Sequence, residues 1–134
     1  MKESIWENTS NINNKNISKV EKSFDEIQIG DTTRFICKID EKEVGVISAT
    51  LIENNIYNIG GLFVDPSKRS QGIASGLVKL VNVFLEKNKA LGKLSNTIHG
   101  EAVQVYENNN WVKGSYKSQG AYGAYEYTYD CRKK

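Results

Sequence analysis

The spacing of apolar residues along the chain changes several times, and each change predicts a different structural element. Residues 33–39 alternate apolar with polar side chains, and apolar runs at 44–52 and 56–64 follow after short polar turns. Alternation with a period of two is typical of strands, and turns of a few residues join strands that run antiparallel. These three segments therefore predict an antiparallel meander.

Two other segments carry the spacing of helices. A short amphipathic helix is predicted for 17–27, where apolar residues fall three to four positions apart at Ile17, Val20, Phe24 and Ile27. A longer helix is predicted for 71–91, with Gly92 as its C-terminal stop. Its apolar residues recur at helical intervals, at positions 73, 74, 77, 80, 81, 84 and 85.

The remaining segments predict short elements that complete one domain. Residues 94–100 predict a strand, 101–109 a short helix, and 111–117 and 124–131 two closing strands. Residues 1–16 include an asparagine-rich stretch without a period, which predicts an irregular lead-in to a single domain that spans 1–134. This order of elements predicts an α+β fold with one sheet and helices packed on it.

Composition narrows the functional classes. The chain has 134 residues, 39% of them hydrophobic and 25% charged, which is ordinary usage for one soluble domain. A net charge of +2 with no long basic run gives no support to nucleic-acid binding. The N-terminus lacks an apolar run, so we expect no signal peptide, no membrane span and a cytoplasmic location. Cys37 and Cys131 form no metal-ligand pattern and are expected to be reduced.

The segment "VDPSKRSQGIASGL" at 64–77 carries the clearest chemical signal. A strand that stops at Asp65 and Pro66 is followed by a basic loop and then by the start of the long predicted helix. The first N–H groups of a helix have no intrahelical partner and lie at the positive end of the helix dipole. Such a turn binds anions, most often phosphate, and small residues at Gly72 and Ala74 let a ligand approach the backbone.

Two motifs resemble the GNAT acyltransferase superfamily. Residues 69–74, "RSQGIA", match its acetyl-CoA signature, [RQ]-x-x-G-x-[GA], at the start of the long helix. Downstream, "HGEAVQVYENNNW" at 99–111 keeps Ala102, Tyr106 and Trp111 at the intervals of a second family motif. The resemblance covers roughly residues 33–131. The alternative is that the small residues at the start of the long helix only allow close helix packing. This alternative does not account for the second motif.

This resemblance implies a fold and a co-substrate. The fold would be α+β, with a single mixed central sheet in which an antiparallel meander precedes a splayed parallel pair, helices on both faces and a shortened N-terminal region. The co-substrate would be acetyl-CoA, with no metal. The residues that the resemblance implies for binding it are Leu62, Phe63, Val64, Arg69, Ser70, Gln71, Gly72, Ile73, Ala74, Ser75, His99 and Tyr106. Gly72 is expected there for its small size and not for a particular φ.

The resemblance also implies how the acetyl group would be handled. Gly60 and Gly61 interrupt an apolar strand, as at a bulge or a close approach of another backbone. In the family the corresponding strand splays from its neighbour and admits the pantetheine arm. A backbone N–H of this stretch, assigned to Val64, would then contact the oxyanion, and Tyr106 would act as general acid toward the leaving thiolate.

Some positions depart from the family pattern or leave a role open. His99 stands where the family usually has Asn, and Asn110 stands where it usually has Gly. The general base is not identified, because Glu53, Glu126 and Asp130 are all candidates and the start of the splayed strand offers no acid. Neither cysteine lies in the two motifs, which argues against a cysteine nucleophile.

The function implied is N-acetyl transfer from acetyl-CoA to a primary amine, directly and in a ternary complex. The amine would belong to a protein lysine, a protein N-terminus or a small molecule. A catalytically inactive coenzyme A-binding module and an acyltransferase acting on a nucleic acid base remain as alternatives. Five tyrosines at 116–129 would line an acceptor groove, form a homodimer contact or simply reflect strand composition.

Overall fold

A computed structural model describes residues 21–97, 102–119 and 122–132. In these residues seven strands form one mixed sheet in the order β1-β2-β3-β4-β5-β7-β6, accompanied by two α-helices. The elements are β1 Lys22–Ile29, β2 Thr32–Ile39, β3 Lys42–Glu53, β4 Ile56–Val64, a 3-10 turn Pro66–Lys68, α1 Ile73–Asn88, β5 Leu91–Thr97, α2 Ala102–Asn108, β6 Val112–Gln119 and β7 Tyr122–Asp130. The α+β fold with one mixed sheet is confirmed.

The predicted meander is confirmed and has one more strand than expected. Strands β1 to β4 pair antiparallel in sequence order. Asp40 and Glu41 join β2 to β3 with φ of 52° and 65°. Positive φ at both central residues matches the right-handed twist of the strands that such a turn connects.

The short helix predicted for 17–27 is wrong where the structure describes it. Residues Lys22–Ile29 form β1, which pairs with β2 along its whole length from Lys22↔Ile39 to Ile29↔Thr32. Phe24 and Ile27 are spaced like helix residues, but pairing with β2 satisfies the backbone groups of this segment. The side chains of β1 are exposed, so the core imposes no clear period on the sequence. Residues 7–16 and 17–20 lie outside the described residues.

The long helix is shorter than predicted, and Gly92 does not stop it. Helix α1 ends at Asn88, and Lys89 adopts the left-handed conformation, with φ of 49° and its N–H donating to the carbonyls of Leu85 and Glu86. Gly92 lies inside β5, where a side chain would collide with the core. No described helix has the length and apolar character needed to cross a membrane.

One hydrophobic core holds the helices to the sheet. Helix α1 buries Leu77, Val81 and Leu85 against β2, β3 and β4, and α2 adds Tyr106 to the same cluster. Both described helices thus contribute to the same core. A further helix, predicted for 17–27, was also expected to pack on the sheet. In the structure this range contains most of β1, and residues 17–20 lie outside the described part. Cys37 and Cys131 are buried in this core and are not bridged to each other, as expected.

The parallel pair of strands separates almost at once. Strand β5 pairs with β4 only at Leu91, Gly92 and Lys93, opposite Ile56, Tyr57 and Asn58. Beyond this point β5 continues beside β7, and β4 continues beside β3. The predicted splayed pair is confirmed, and it leaves a gap between β4 and β5 in the middle of the sheet.

Gly92→Ala should destabilise the fold by about 1–3 kcal/mol, because overpacking a filled core forces side chains out of place. An added Cβ would lie 2.6 Å from Leu85 Cδ1 and 2.9 Å from the Trp111 ring. Urea unfolding measures the effect. Gly60→Ala on β4 is the matched control, because its Cβ would have no atom within 4 Å. Equal stability of the two variants would contradict the packing described here.

Candidate functional site

A bulge in β4 opens the gap between the two parallel strands. Val46 of β3 is in register with Phe63 and Ser48 with Gly60, so β4 has one extra residue between these pairs. Gly61 lies in the bulge and has φ of 67°, a conformation that favours glycine. The hydroxyl of Ser48 donates to the Gly60 carbonyl at 3.2 Å. Gly61 and Leu62 have no register partner on β3 or β5, as the paired glycines in the sequence predicted.

The loop after β4 is held by its own aspartate. Ser67 donates from its backbone N–H and from its hydroxyl to Asp65 Oδ1, both at 2.9 Å. These hydrogen bonds, the backbone one first, hold the pKa of the Asp65 carboxyl below its usual range. Pro66 occupies the first position of the 3-10 turn, where no backbone N–H is needed. The loop therefore reaches α1 along a defined path.

Helix α1 begins with free N–H groups. Gly72 is its N-cap, and its carbonyl accepts the first intrahelical bond from Gly76 N at 3.0 Å. No described side chain caps this end, and the first turn contains no acidic residue. Gly72 has φ of 77°, so the expectation that it needs no particular φ is wrong. A side chain there would be strained.

A cavity with a volume of about 400 Å³ lies above this helix end. It is lined by the end of β4, the loop, the first turn of α1 and the inner face of α2. The lining residues are Leu62, Phe63, Val64, Lys68, Arg69, Ser70, Gly72, Ile73, Ala74, Ser75, Ala102 and Val105. Most residues expected to bind acetyl-CoA are thus brought together. Gln71 is not among the lining residues, and His99 lies outside the described residues.

A second cavity of about 230 Å³ continues the first along the gap in the sheet. Its lining is Ile59, Gly60, Gly61, Leu62, Leu94, Ala102 and Tyr106. Leu62 and Ala102 line both cavities, so the two form one groove. The groove runs from the free N–H groups of α1 to the phenol of Tyr106.

The side chain of Tyr106 is buried where it lines the second cavity. Its side chain is 3% exposed, and its ring packs edge-on against Trp111 with centroids 5.2 Å apart. None of the described residues hydrogen-bonds its hydroxyl, although most buried polar groups have a partner. Burial raises the pKa of Tyr106, so the phenol keeps its proton at neutral pH. It can therefore donate that proton to a group in the groove.

The positive charge around the helix start includes a residue that sequence reasoning missed. The Lys22 ammonium donates to the Gln71 carbonyl and lies 3.8 Å from the place of a Cβ on Gly72. A cation at a helix N-terminus is electrostatically unfavourable unless an anion offsets it. No motif pointed to Lys22, since its segment was predicted to be a helix. Arg69 is turned to the strand, with Nε donating to the Val64 carbonyl at 3.2 Å.

Two tyrosines of β7 are hydrogen-bonded to the helices. Tyr127 donates to Glu107 of α2 at 2.9 Å and Tyr129 donates to Glu86 of α1 at 2.6 Å. Burial and its bond to Glu107 raise the pKa of Tyr127 to about 12. These two side chains bind within the chain, which leaves Tyr116, 53% exposed, as a surface aromatic. Of the five tyrosines at 116–129, Tyr127 and Tyr129 thus have a structural role.

Comparisons with known proteins agree on one family. The family model for the acetyltransferase (GNAT) domain matches residues 7–121. The ribosomal-protein-S18-alanine N-acetyltransferase from Escherichia coli superposes with a TM-score of 0.68 at 16% identity, over 78% of this chain and 72% of that chain. A comparison with curated proteins gives no match.

Two further structures of this fold contain a coenzyme. A Bacillus anthracis protein solved with acetyl coenzyme A has a TM-score of 0.68 at 17% identity, over 78% of this chain and 65% of that chain. A ribosomal L7/L12 alpha-N-protein acetyltransferase solved with coenzyme A has a TM-score of 0.67 at 16% identity, over the same shares. This chain spans somewhat less than two thirds of each. Identities this low establish a shared fold and leave the acceptor open.

Tyr106→Phe should reduce the loss of stability at alkaline pH. A tyrosine in the unfolded chain ionises at about pH 10, whereas buried Tyr106 stays protonated, so the parent loses stability as the pH rises above that value. The stability of the variant relative to the parent should therefore rise by about 1 kcal/mol per pH unit above pH 10. Urea unfolding between pH 8 and pH 11 measures the difference. A constant difference over this range would show that the phenol is not buried as described.

Proposed function

Because the chain belongs to the GNAT family of acetyltransferases, we propose that it transfers the acetyl group of acetyl-CoA directly to a primary amine in a ternary complex. It is an acyltransferase, and acetyl-CoA is its co-substrate. The observation that carries the proposal is the groove that joins the free N–H groups of α1 to the buried phenol of Tyr106. A diphosphate fits one end of this groove and a thioester the other.

The diphosphate end is supported by backbone and charge. The N–H groups of Ile73, Ala74 and Ser75 lie at the positive end of the α1 dipole, with no described side chain capping them. Lys68 lines the cavity, and the Lys22 ammonium lies beside Gly72. This arrangement favours an anion with several oxygens over any neutral ligand.

The pantetheine arm would lie along β4 in the gap of the sheet. Leu62, Phe63 and Val64 line the larger cavity, and β5 has already turned away at this level. An extended chain with amide groups can pair with a strand edge that lacks a neighbour. The arm would end in the smaller cavity, beside Gly61 and Tyr106.

The oxyanion contact is better placed in the bulge than at Val64. Attack by the amine turns the carbonyl oxygen of the acetyl group into an oxyanion, which a backbone N–H can stabilise. Val64 lines the larger cavity, whereas the cavity that contains Tyr106 is lined by Gly60, Gly61 and Leu62. Since Gly61 and Leu62 have no register partner, we assign the oxyanion donor to this pair.

The general base is best assigned to Glu126. Asp130 is bound to the Arg132 guanidinium at 2.9 Å, and Glu53 lies at the turn that joins β3 to β4. Glu126 is opposite Ser95 in the β5–β7 register, just past the point where β4 and β5 part. Its carboxylate lies 3.9 Å from the Lys93 ammonium. An ammonium acceptor must lose a proton before attack, and a carboxylate at the mouth of the gap could take it, directly or through water.

Tyr106 completes the transfer as general acid. When the new C–N bond has formed, the C–S bond breaks and the sulfur takes the proton of the phenol. The nitrogen then loses its extra proton to the phenolate, directly or through water, which restores Tyr106. The products are the acetylated amine and coenzyme A. Proteins of similar fold are named for a ribosomal-protein alanine and for the α-amino group of L7/L12, which supports an amine as acceptor class.

Gly72→Glu should abolish acetyl-CoA binding, because its carboxylate would occupy the diphosphate position. Gly30→Glu is the matched control, since Gly30 also has positive φ, 60°, but lies in the β1–β2 turn at the opposite end of β1 from Lys22. Isothermal titration measures the affinity of each variant for acetyl-CoA. Comparing the two variants separates the effect of backbone strain, which both have, from loss of the binding site. Equal affinity of both variants for acetyl-CoA would rule out the assignment of this helix end.

Tyr106→Phe should lower turnover by about 10²-fold or more with little change in acetyl-CoA affinity, because it removes only the proton donor. Coenzyme A release is measured with a panel of lysine peptides, N-terminal peptides, polyamines and aminoglycosides. Binding of acetyl-CoA without turnover of any amine would favour an inactive coenzyme-binding module. Parental turnover by the variant would exclude Tyr106 as the acid.

A further inference from the structure

Two buried asparagines link the helices that carry the two ends of the groove. Asn82 of α1 and Asn109, which follows α2, are 8% and 6% exposed. Asn82 Nδ2 donates to the Asn109 carbonyl at 2.9 Å, and Asn82 Oδ1 accepts from Trp111 Nε1 at 2.8 Å. Buried amides are costly unless bonded, so this contact is stable only in one relative placement of the helices.

The side chain of Asn109 extends the link to the anion end of the groove. Its Nδ2 donates to the Val105 carbonyl at 2.8 Å, in the middle of α2, and to Ser75 Oγ at 3.3 Å, in the first turn of α1. Ser75 lines the larger cavity, and no described group accepts a hydrogen bond from its hydroxyl. Because its oxygen accepts from Asn109, the hydroxyl hydrogen is free to point into the cavity.

The same link reaches the catalytic end through an aromatic contact. Trp111, fixed by Asn82, packs edge-on against the Tyr106 ring with centroids 5.2 Å apart. The Tyr106 carbonyl accepts from the N–H groups of Asn109 and Trp111, both at 3.0 Å, whereas none of the described residues hydrogen-bonds its hydroxyl. Its place relative to the first turn of α1 therefore depends on the amide pair.

We propose that Asn109, held by Asn82, is a positioning residue that couples coenzyme binding at Ser75 to proton donation by Tyr106. This rests on the proposed function. The Ser75 hydroxyl, aligned by Asn109, would donate to a phosphate oxygen of the coenzyme. The bond from Asn109 to Val105 would hold α2 at the distance at which the phenol meets the sulfur.

Two double-mutant cycles test the coupling, one read by binding and one by turnover. In the parent, Ser75→Ala should weaken acetyl-CoA affinity about tenfold, as loss of a hydrogen bond to a charged group does. In Asn109→Ala the same change should cost about twofold or less, because the hydroxyl is no longer aligned. Likewise, Tyr106→Phe should lower turnover much less in Asn109→Ala than in the parent.

A milder variant and a matched control keep the test decisive if Asn109→Ala fails to fold. Asn109→Ser can still bond the Val105 carbonyl but is too short to bond Ser75 as well, so it should lose the Ser75 coupling alone. Asn108→Ala is the control, because Asn108 is exposed and bonded only to Gln104 among described residues. Its cycles should match the parent.

The outcomes separate this proposal from the function on which it rests. A parent that neither binds acetyl-CoA nor releases coenzyme A overturns the proposed function, and the positioning role with it. A parent that binds and turns over, with Asn109 variants whose effects multiply independently of Ser75 and Tyr106, overturns the positioning role alone. Coupling in both cycles, absent in the control, supports it.

Discussion

The separation of β4 from β5 is the constraint on which the rest of the site depends. Parallel strands lie about 5 Å apart while they are hydrogen-bonded, which leaves no room for a ligand between them. Here the pairing of β4 with β5 ends at Asn58 and Lys93, while β4 stays paired with β3 on both sides of the bulge at Gly61. An unpaired strand edge in the centre of a sheet is otherwise unfavourable, since its backbone groups need partners. A ligand with amide groups can supply them.

The groove that results has a different chemistry at each end. At the start of α1, free N–H groups and nearby lysines produce a positive potential without any acidic residue in the first turn. At the other end, the surroundings of Tyr106 are apolar, and burial raises its pKa. The α1 end of the groove thus suits a charged part of a ligand, and the Tyr106 end suits a neutral part. The two ends lie on different helices, so their distance is fixed by contacts between α1 and α2.

Much of this arrangement could be predicted from the sequence because the signals are local. Strand β4 has the predicted bounds, and the loop, the start of the long helix and Tyr106 follow from motifs with fixed spacing. Other features depend on partners far along the chain. Strand β1 has exposed side chains and is specified by pairing with β2. The spacing of its apolar residues therefore led to the wrong prediction of a helix. The contacts of Lys22 with Gln71 and of Asn82 with Asn109 join distant segments, so they produce no periodic pattern in the sequence.

The most direct test of the account is the response of backbone amides to the coenzyme in solution. Amide resonances of the ¹⁵N-labelled protein are followed while coenzyme A is added. We expect the amide resonances of Ile73, Ala74 and Ser75 to shift downfield together as their N–H groups bond the diphosphate, with smaller shifts at Gly61 and Leu62. Saturable shifts confined to other parts of the chain, with 73–75 unchanged, would contradict it.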